Sequence, residues 1–219
     1  IHQVVRDNYL DEHEAPEALD LAAFDAKVAG GAIIVDGRDP EDFARGHLVG
    51  SINVGMNGRY AEFAGSVVPS DVDIVLIADE GFETEAKNRL ARIGFDRVVG
   101  ALANPLKVMT ENPDRVQQAS RMTAREFDDR RDDIAGLQLV DIRNPGEVAL
   151  GVIEGAVTVP VGQINDRVDE LDPNAPTVVY CAGGYRSSVA ASLLREKGFS
   201  DVSDILGGYG AWMELRQPA

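Results

Sequence analysis

The stretch TVVYCAGGYRSSVAASLLREKGF, residues 177–199, joins a short apolar run to an amphipathic segment through two glycines. The apolar run at 177–180 is rich in β-branched residues and predicts a buried strand. Apolar residues at i,i+4 spacing predict a helix over 187–197, which Gly198 ends. Similar short strands alternate with helical segments along the chain. This alternation predicts an α/β fold with a mostly parallel sheet flanked by helices.

The same pattern occurs twice. Residues 35–54 (VDGRDPEDFARGHLVGSINV) overlay residues 140–159 (VDIRNPGEVALGVIEGAVTV), and residues 74–99 overlay residues 178–203. A repeat of about 100 residues is the size of a small domain, so we expect two tandem copies of one domain. The predicted divisions are an N-terminal extension (1–17), copy one (18–104), a polar linker (105–121) and copy two (122–219).

Cys181 is the only cysteine of the chain, and it follows the predicted strand directly. Reactive groups of parallel sheets lie at the carboxyl ends of strands. Gly183 and Gly184 permit positive φ angles, so that loop N–H groups can point at the sulfur. The following helix N-terminus and Arg186, as a fixed positive charge, favour a thiolate nucleophile in a partly exposed setting. A lone cysteine is otherwise most often inert, but an inert one does not need this loop.

Three motifs of copy two, in combination, resemble the rhodanese sulfurtransferases: CAGGYR (181–186) before a helix, VDIRNPGEV (140–148) and GGYGAW (207–212). The resemblance covers nearly the whole chain as a tandem pair. It implies that Cys181 is catalytic and carries a persulfide. It also implies a substrate-binding set in the loop: Ala182, Gly183, Gly184, Tyr185, Arg186 and Ser187.

Copy one departs from this family pattern. Ile77 or Ala78 occupies the position of Cys181, and the loop that follows carries acidic residues, among them Asp79 and Glu83. Carboxylates there repel a thiolate and an oxyanion alike. Copy one also lacks the GG-GAW ending, so we expect an inactive domain that packs, shapes the cleft or contacts a partner.

The resemblance implies transfer of sulfane sulfur from thiosulfate or a low-molecular-weight persulfide to a thiol or cyanide. Glutathione or a thioredoxin-like protein would be the thiol acceptor. Cysteine-dependent phosphatases and arsenate reductases are an alternative, but their loop is C-x5-R and this one is C-x4-R. A non-enzymatic interaction module is a third hypothesis, favoured by the degenerate copy one.

The formal net charge of -16 argues against nucleic-acid partners and against an anionic membrane surface. One cysteine, no spanning apolar run and an acidic start predict a cytoplasmic protein. No Cys or His cluster has metal-ligand spacing, so we expect no metal and no cofactor. An inactive first copy with a CAGGYR second copy resembles the C-terminal part of fusions with a metallo-β-lactamase-fold domain. The start at Ile1 is compatible with such an upstream domain.

The remaining polar residues are predicted to be structural. His2, His13 and His47 lie far from Cys181 in sequence, so a Cys-His relay is not expected. Copy two has Val152 where rhodaneses commonly have a His, which affects local packing. The Asp and Arg of VDIR (141 and 143) recur in copy one, which indicates a role in the fold.

Overall fold

The computed structural model describes residues 13–217, and each copy forms an α/β unit around its own parallel sheet. The N-terminal half comprises β1 (Ala18–Leu19), α1 (Leu21–Ala29), β2 (Ile33–Asp36), α2 (Pro40–Arg45), β3 (His47–Leu48), β4 (Ser51–Asn53), α3 (Tyr60–Val67), β5 (Ile74–Ile77), α4 (Glu83–Ala91), β6 (Val98–Leu102) and α5 (Pro105–Glu111). A 3-10 turn (Pro113–Arg115) and β7 (Val116–Gln117) follow.

Copy two repeats the pattern. It comprises β8 (Ser120–Thr123), α6 (Ala124–Arg130), β9 (Gln138–Asp141), α7 (Pro145–Val148), β10 (Val157–Thr158), α8 (Ile164–Arg167), β11 (Thr177–Tyr180), α9 (Tyr185–Glu196), β12 (Val202–Leu206) and α10 (Gly208–Glu214). Two further 3-10 turns flank α8, at Val161–Gln163 and Val168–Glu170.

Both sheets have five strands, in the orders β1-β6-β5-β2-β4 and β10-β9-β11-β12-β8, and every pairing within them is parallel. The central strands β5 and β11 are buried along their whole length, as expected where helices cover both faces of a sheet. The predicted α/β fold with two parallel sheets flanked by helices is therefore confirmed.

The structure differs from the predicted start of one helix and adds local detail elsewhere. Helix α9 begins at Tyr185, two residues before the predicted start, because Gly184 takes a left-handed conformation at its N-cap. Strand β10 has only two residues, and α8 is a single short turn of helix between two 3-10 turns. The segment between the copies, predicted as a polar linker, has secondary structure of its own: it holds α5 and β7, and β7 pairs antiparallel with β3 of copy one.

The acidic residue and arginine of VDGR and VDIR form the same buried ion pair in both copies. Asp36 and Arg38 lie 2.6 Å apart, and so do Asp141 and Arg143. Each arginine also donates to the carbonyl of a glycine eight residues further on, Gly46 or Gly151, and so ties a strand end to the next loop. A pair present in the copy without a thiol serves the fold.

One hydrophobic cluster spans both copies, and each copy has a further cluster on the other face of its sheet. In α9 every residue from Ser187 to Leu194 is buried, between its own sheet and β4 of copy one. Asn53 in β4 meets Ser188 and Ser192 of α9 through hydrogen bonds, and Asn165 donates to the carbonyl of Val67 at 2.9 Å. The helix that follows the cysteine loop is thus held from both copies.

Candidate active site

Cys181 is the first residue after β11, at the carboxyl end of the second sheet. Its sulfur accepts a hydrogen bond from the backbone N–H of Gly184 at 3.0 Å and lies 3.7 Å from the hydroxyl of Ser187. The residue is only 1% exposed, so the predicted partly exposed setting was wrong. Cys181 nevertheless forms part of the wall of a cavity between the two copies.

One of the two loop glycines has the predicted backbone conformation. Gly184 has φ +95°, and a Cβ there would lie 2.9 Å from the backbone nitrogen of Gly207. Gly183 does not have a positive φ, so the expectation of two left-handed glycines was wrong. Gly184 therefore turns the chain into α9 and aims its own N–H at the sulfur.

The GGYGAW segment holds the loop from the other side. The N–H groups of Tyr209 and Gly210, at the start of α10, donate to the carbonyls of Cys181 and Ala182 at 2.7 and 3.0 Å. Gly208 has φ +56°, and a Cβ there would lie 2.2 Å from the Cys181 carbonyl oxygen. The sequence singled out this motif but not its role, which is to fix the backbone that carries the thiol.

Tyr185 joins the loop to copy one. Its hydroxyl donates to the carbonyl of Gly55 at 2.6 Å, and its ring lies 5.5 Å from that of Phe63. Burial raises the pKa of Tyr185 to about 12, so the phenol stays protonated as a donor. Gly58 leaves room for the ring, because a Cβ at Gly58 would lie 2.3 Å from it. Tyr185 is thus both a cavity wall and a contact between the copies.

Arg186 does not act as an unopposed positive charge. Its two terminal nitrogens donate to the two carboxylate oxygens of Glu147, at 2.6 and 2.7 Å. Glu147 also accepts from the backbone N–H of Asn144 at 3.0 Å. The hydrogen bond from Arg186 is the main cause that lowers the pKa of Glu147 to about 2, so the carboxylate is ionised throughout the neutral range.

Sequence reasoning missed Glu147 as part of the site. It stands three residues after Asn144, a spacing that a helix N-cap explains without any other role. Its contact with Arg186 joins residues 39 positions apart in sequence. Only the overlay of the two copies offered a signal, since copy one has no basic residue at the start of α4.

Ser187 lies beneath the loop. Its hydroxyl donates to the carbonyl of Gly184 at 3.0 Å and lies 3.3 Å from a carboxylate oxygen of Asp204. Ser187 is fully buried, and its side chain does not line the cavity. Ala182 and Gly184 are also absent from the cavity wall, whereas four of the predicted residues line it: Cys181, Gly183, Tyr185 and Arg186.

The cavity has a volume of about 740 Å³ and lies between the copies. Copy two contributes the loop residues and four more: Asn144, Glu147, Val161 and Gly162. Copy one supplies the facing wall: Asn57, Gly58, Arg59, Glu62, Phe63 and Ser66. Arg59 and Glu62 form an ion pair on this wall. The space around Cys181 is therefore completed by the copy that lacks a thiol.

The equivalent position in copy one is Ala78. In the two sheets, Ile77 pairs with Asp36 as Tyr180 pairs with Asp141, so the next residues, Ala78 and Cys181, correspond. Two exposed acidic residues, Asp79 and Glu80, follow Ala78. Copy one has no nucleophile at this strand end.

Neither of the described histidines lines the cavity at Cys181. His47 stacks on Phe43 with ring centroids 3.8 Å apart, and its Nδ1 lies 3.0 Å from the Phe43 carbonyl oxygen. His13 is exposed, and His2 lies outside the described residues. Val152, at the counterpart of His47, is 41% exposed. Within residues 13–217 there is no cluster of three or more metal-binding side chains. No helix in that part of the chain is long and apolar enough to cross a membrane.

Comparison with known proteins gives matches of partial length. A probable adenylyltransferase/sulfurtransferase MoeZ of Mycobacterium tuberculosis is 33% identical over 113 residues, which are 51% of this chain and 29% of that protein. A thiosulfate sulfurtransferase GlpE of Pseudomonas paraeruginosa is 40% identical over 80 residues, 36% of this chain and 73% of the relative. The chain thus spans less than a third of the Mycobacterium relative.

A solved structure of a thiosulfate sulfurtransferase from Pseudomonas aeruginosa is 22% identical, covers 92% of this chain and 43% of its own chain, and has a TM-score of 0.41. The family model described as rhodanese-like domain matches twice, at residues 18–106 and 123–215. These two matches include Ala78 in the first copy and Cys181 in the second. The chain belongs to the rhodanese-like domain family and carries two copies of its domain.

Proposed function

We propose that the chain is a sulfurtransferase in which Cys181 carries sulfane sulfur between a donor and an acceptor. The observation that carries this proposal is the position of the Cys181 sulfur. The sulfur accepts a hydrogen bond from the Gly184 N–H at 3.0 Å, and Cys181 lines a cavity between the copies. A loop of N–H donors at a helix N-terminus favours an anionic sulfur. The names of the sulfurtransferase relatives support the same activity.

In the first half-reaction the Cys181 thiolate attacks the outer sulfur of thiosulfate or of a low-molecular-weight persulfide. The donor's S–S bond breaks, and sulfite or a thiolate leaves with its electron pair. Cys181 becomes a persulfide. In the second half-reaction an acceptor thiolate or cyanide attacks the outer sulfur, and the Cys181 thiolate leaves. Glutathione or a thioredoxin-like protein would serve as the thiol acceptor. This is ping-pong nucleophilic catalysis.

The residues around Cys181 have separate parts in this scheme. Gly184 donates to the charged sulfur, and the N-terminus of α9 adds its dipole. Tyr209 and Gly210 hold the carbonyls of the loop so that the donor geometry is fixed before substrate arrives. Copy one, with Ala78 in place of the nucleophile, would be inactive and would supply the facing wall of the cavity.

The proposal includes the cellular setting. A net charge of -16 supports small molecules and proteins as partners in place of nucleic acid or an anionic membrane. A cytoplasmic location and an upstream metallo-β-lactamase-fold domain in the full-length protein are part of the proposal. The loop length argues against a phosphatase or arsenate reductase, because Cys181 to Arg186 is C-x4-R, one residue shorter than the C-x5-R loop that surrounds a tetrahedral oxyanion.

The test is incubation of the protein with thiosulfate and, separately, with glutathione persulfide, followed by intact mass measurement. A gain of one sulfur, about 32 Da, on the wild type and not on Cys181→Ser is the expected result. No gain with either donor, in a protein whose thiol still alkylates at neutral pH, would overturn the proposal. If Cys181→Ser keeps the full biological function, the interaction-module hypothesis replaces it.

A further inference from the structure

The Arg186–Glu147 ion pair is found in the thiol-bearing copy and has no counterpart in the described part of copy one. The overlay of the copies places Asp42 opposite Glu147, and Asp42 pairs with Arg45 on its own helix. Residues 82–84, at the start of α4, include no basic side chain that could stand in for Arg186. Copy one therefore builds the same fold without the pair. The fold does not require Glu147 to reach the loop.

The pair changes the charge that a substrate meets. Both terminal nitrogens of Arg186 donate to Glu147, so the Glu147 carboxylate balances the positive charge of Arg186. The other two charged residues of the cavity wall, Arg59 and Glu62, are also paired with each other. Two cations and two anions line the cavity, and their charges sum to zero. At the sulfur itself the donors are the Gly184 N–H, at 3.0 Å, and Arg186, whose charge is shared between Cys181 and Glu147.

The two classes of donor differ sharply in charge. Thiosulfate carries two negative charges and the attacking thiolate carries one. The site must therefore accommodate three negative charges until sulfite leaves. When a thiolate attacks the outer sulfur of a protonated persulfide, RS–SH, the reacting sulfur atoms carry one negative charge. The RS–S bond breaks, RS⁻ leaves with the electron pair, and Cys181 retains the –SH. A neutral site stabilises one charge far better than three.

We propose that Glu147 is a specificity-determining residue, which holds the charge of Arg186 so that the site favours protonated persulfides over dianionic thiosulfate as sulfur donors. This inference rests on the proposed function. The cavity volume of about 740 Å³ also leaves room for an organic group behind the transferred sulfur. Arg59, whose side chain is 72% exposed, stands on the facing wall where such a group would lie.

The experiment compares the rates at which Cys181 gains sulfur from thiosulfate and from glutathione persulfide, by rapid quench and intact mass. Glu147→Gln removes the carboxylate charge with little change in size and releases Arg186. We expect the ratio of the thiosulfate rate to the persulfide rate to rise about tenfold. Glu147→Asp keeps the charge and should restore most of the wild-type ratio. Asp42→Asn removes one negative charge at the counterpart position and should leave the ratio unchanged.

Arg186→Gln gives a second, opposite test. It leaves the Glu147 carboxylate unpaired at the cavity, so the ratio should fall below that of the wild type. If Glu147→Gln and Arg186→Gln change both rates by one common factor, Glu147 has only a structural role and the inference is overturned. Failure of the proposed function looks different, because the wild type would then gain sulfur from neither donor.

Discussion

The backbone N–H of Asn53 in copy one donates to the hydroxyl of Ser192 in copy two, at 2.8 Å. The side-chain oxygen of Asn53 accepts from Ser188, one turn earlier in α9, at 2.9 Å. All three residues are buried. The edge strand of the first sheet is thereby joined to the helix that begins at the cysteine loop. The interface between the copies is part of the scaffold of the candidate site.

Ser192→Ala should destabilise the whole chain. The substitution leaves the N–H of Asn53 buried without its acceptor, which costs about 1–3 kcal/mol of unfolding free energy. Urea unfolding followed by circular dichroism measures the change. Ser70→Ala, at an exposed position, is the control and should have almost no effect. Equal stability of the two variants would show that the Asn53 contact does not stabilise the interface.

Gly58→Ala should displace Tyr185 from the cavity wall. The new Cβ would lie 2.3 Å from the Tyr185 ring, so either the ring or the copy-one loop must move. We expect a loss of about 1–3 kcal/mol in stability and slower sulfur loading. Gly162 lines the same cavity, but a Cβ there would have its nearest neighbour at 3.9 Å. Gly162→Ala is therefore the matched control and should be tolerated.

The Gly58 prediction has an internal check. In a Tyr185→Ala background the ring is gone, so the cost of Gly58→Ala should largely disappear, giving a clear coupling energy in the double-mutant cycle. Additive effects would mean that the Gly58 and Tyr185 positions do not interact, contrary to the structure.

Gly208→Ala should disable the loop. Gly208 has a left-handed backbone, and its Cβ would meet the Cys181 carbonyl oxygen at 2.2 Å. Because that oxygen belongs to the backbone, relief requires the loop itself to move away from the N–H donors of α10. We expect at least a tenfold fall in the rate of Cys181 loading. Gly146→Ala, where a Cβ would meet nothing within 4 Å, is the matched control. Normal loading by Gly208→Ala would rule out this role for GGYGAW.

His47 should make the protein less stable in mild acid. Burial lowers its pKa to about 4 in the folded chain, against 6.5 as the ordinary value. Between these two pH values the unfolded chain binds the proton and the folded chain does not, so stability falls as the pH drops from 6.5 to 4. The contribution of this residue is on the order of 3 kcal/mol.

The measurement for His47 is urea unfolding at pH 7 and pH 4.5. His47→Gln cannot take up the proton, so its stability should change less between the two pH values than that of the wild type. His13→Gln, at an exposed position, should follow the wild type. If His47→Gln loses as much stability as the wild type between the two pH values, the acid sensitivity lies in the carboxylates.

Local features of this fold were predictable because their causes are local. Thr123 and Glu126 have the spacing of a capping box at the start of α6, and both of its hydrogen bonds are present, at 2.7 and 3.1 Å. The strand at 177–180 follows from β-branched residues buried on both faces. The tandem architecture was predictable from the sequence repeat alone, because the repeat can be recognised without knowing how the two copies contact each other.

What sequence reasoning missed depends on contacts between distant residues. Glu147 meets Arg186 across 39 positions, and Asn53 meets Ser192 across 139. The sequence around Glu147 and around Ser192 contains no local pattern that predicts these partners. The start of α9 was placed late for a related reason, since the left-handed residue Gly184 lies close to Gly207, where a Cβ at Gly184 would come within 2.9 Å of the Gly207 backbone nitrogen.

The packing of α9 on β4 also sets an order of events during synthesis. Residue 53 is made 132 residues before residue 185, where α9 begins (185 − 53 = 132). At about 5–20 residues per second, the ribosome needs roughly 7–26 s to make that length. Throughout this interval β4, which is fully buried in the finished protein, is an uncovered edge strand on a nascent chain. For these seconds β4 lacks the cover that α9 gives it in the finished protein, and an uncovered edge strand is a site at which aggregation can begin.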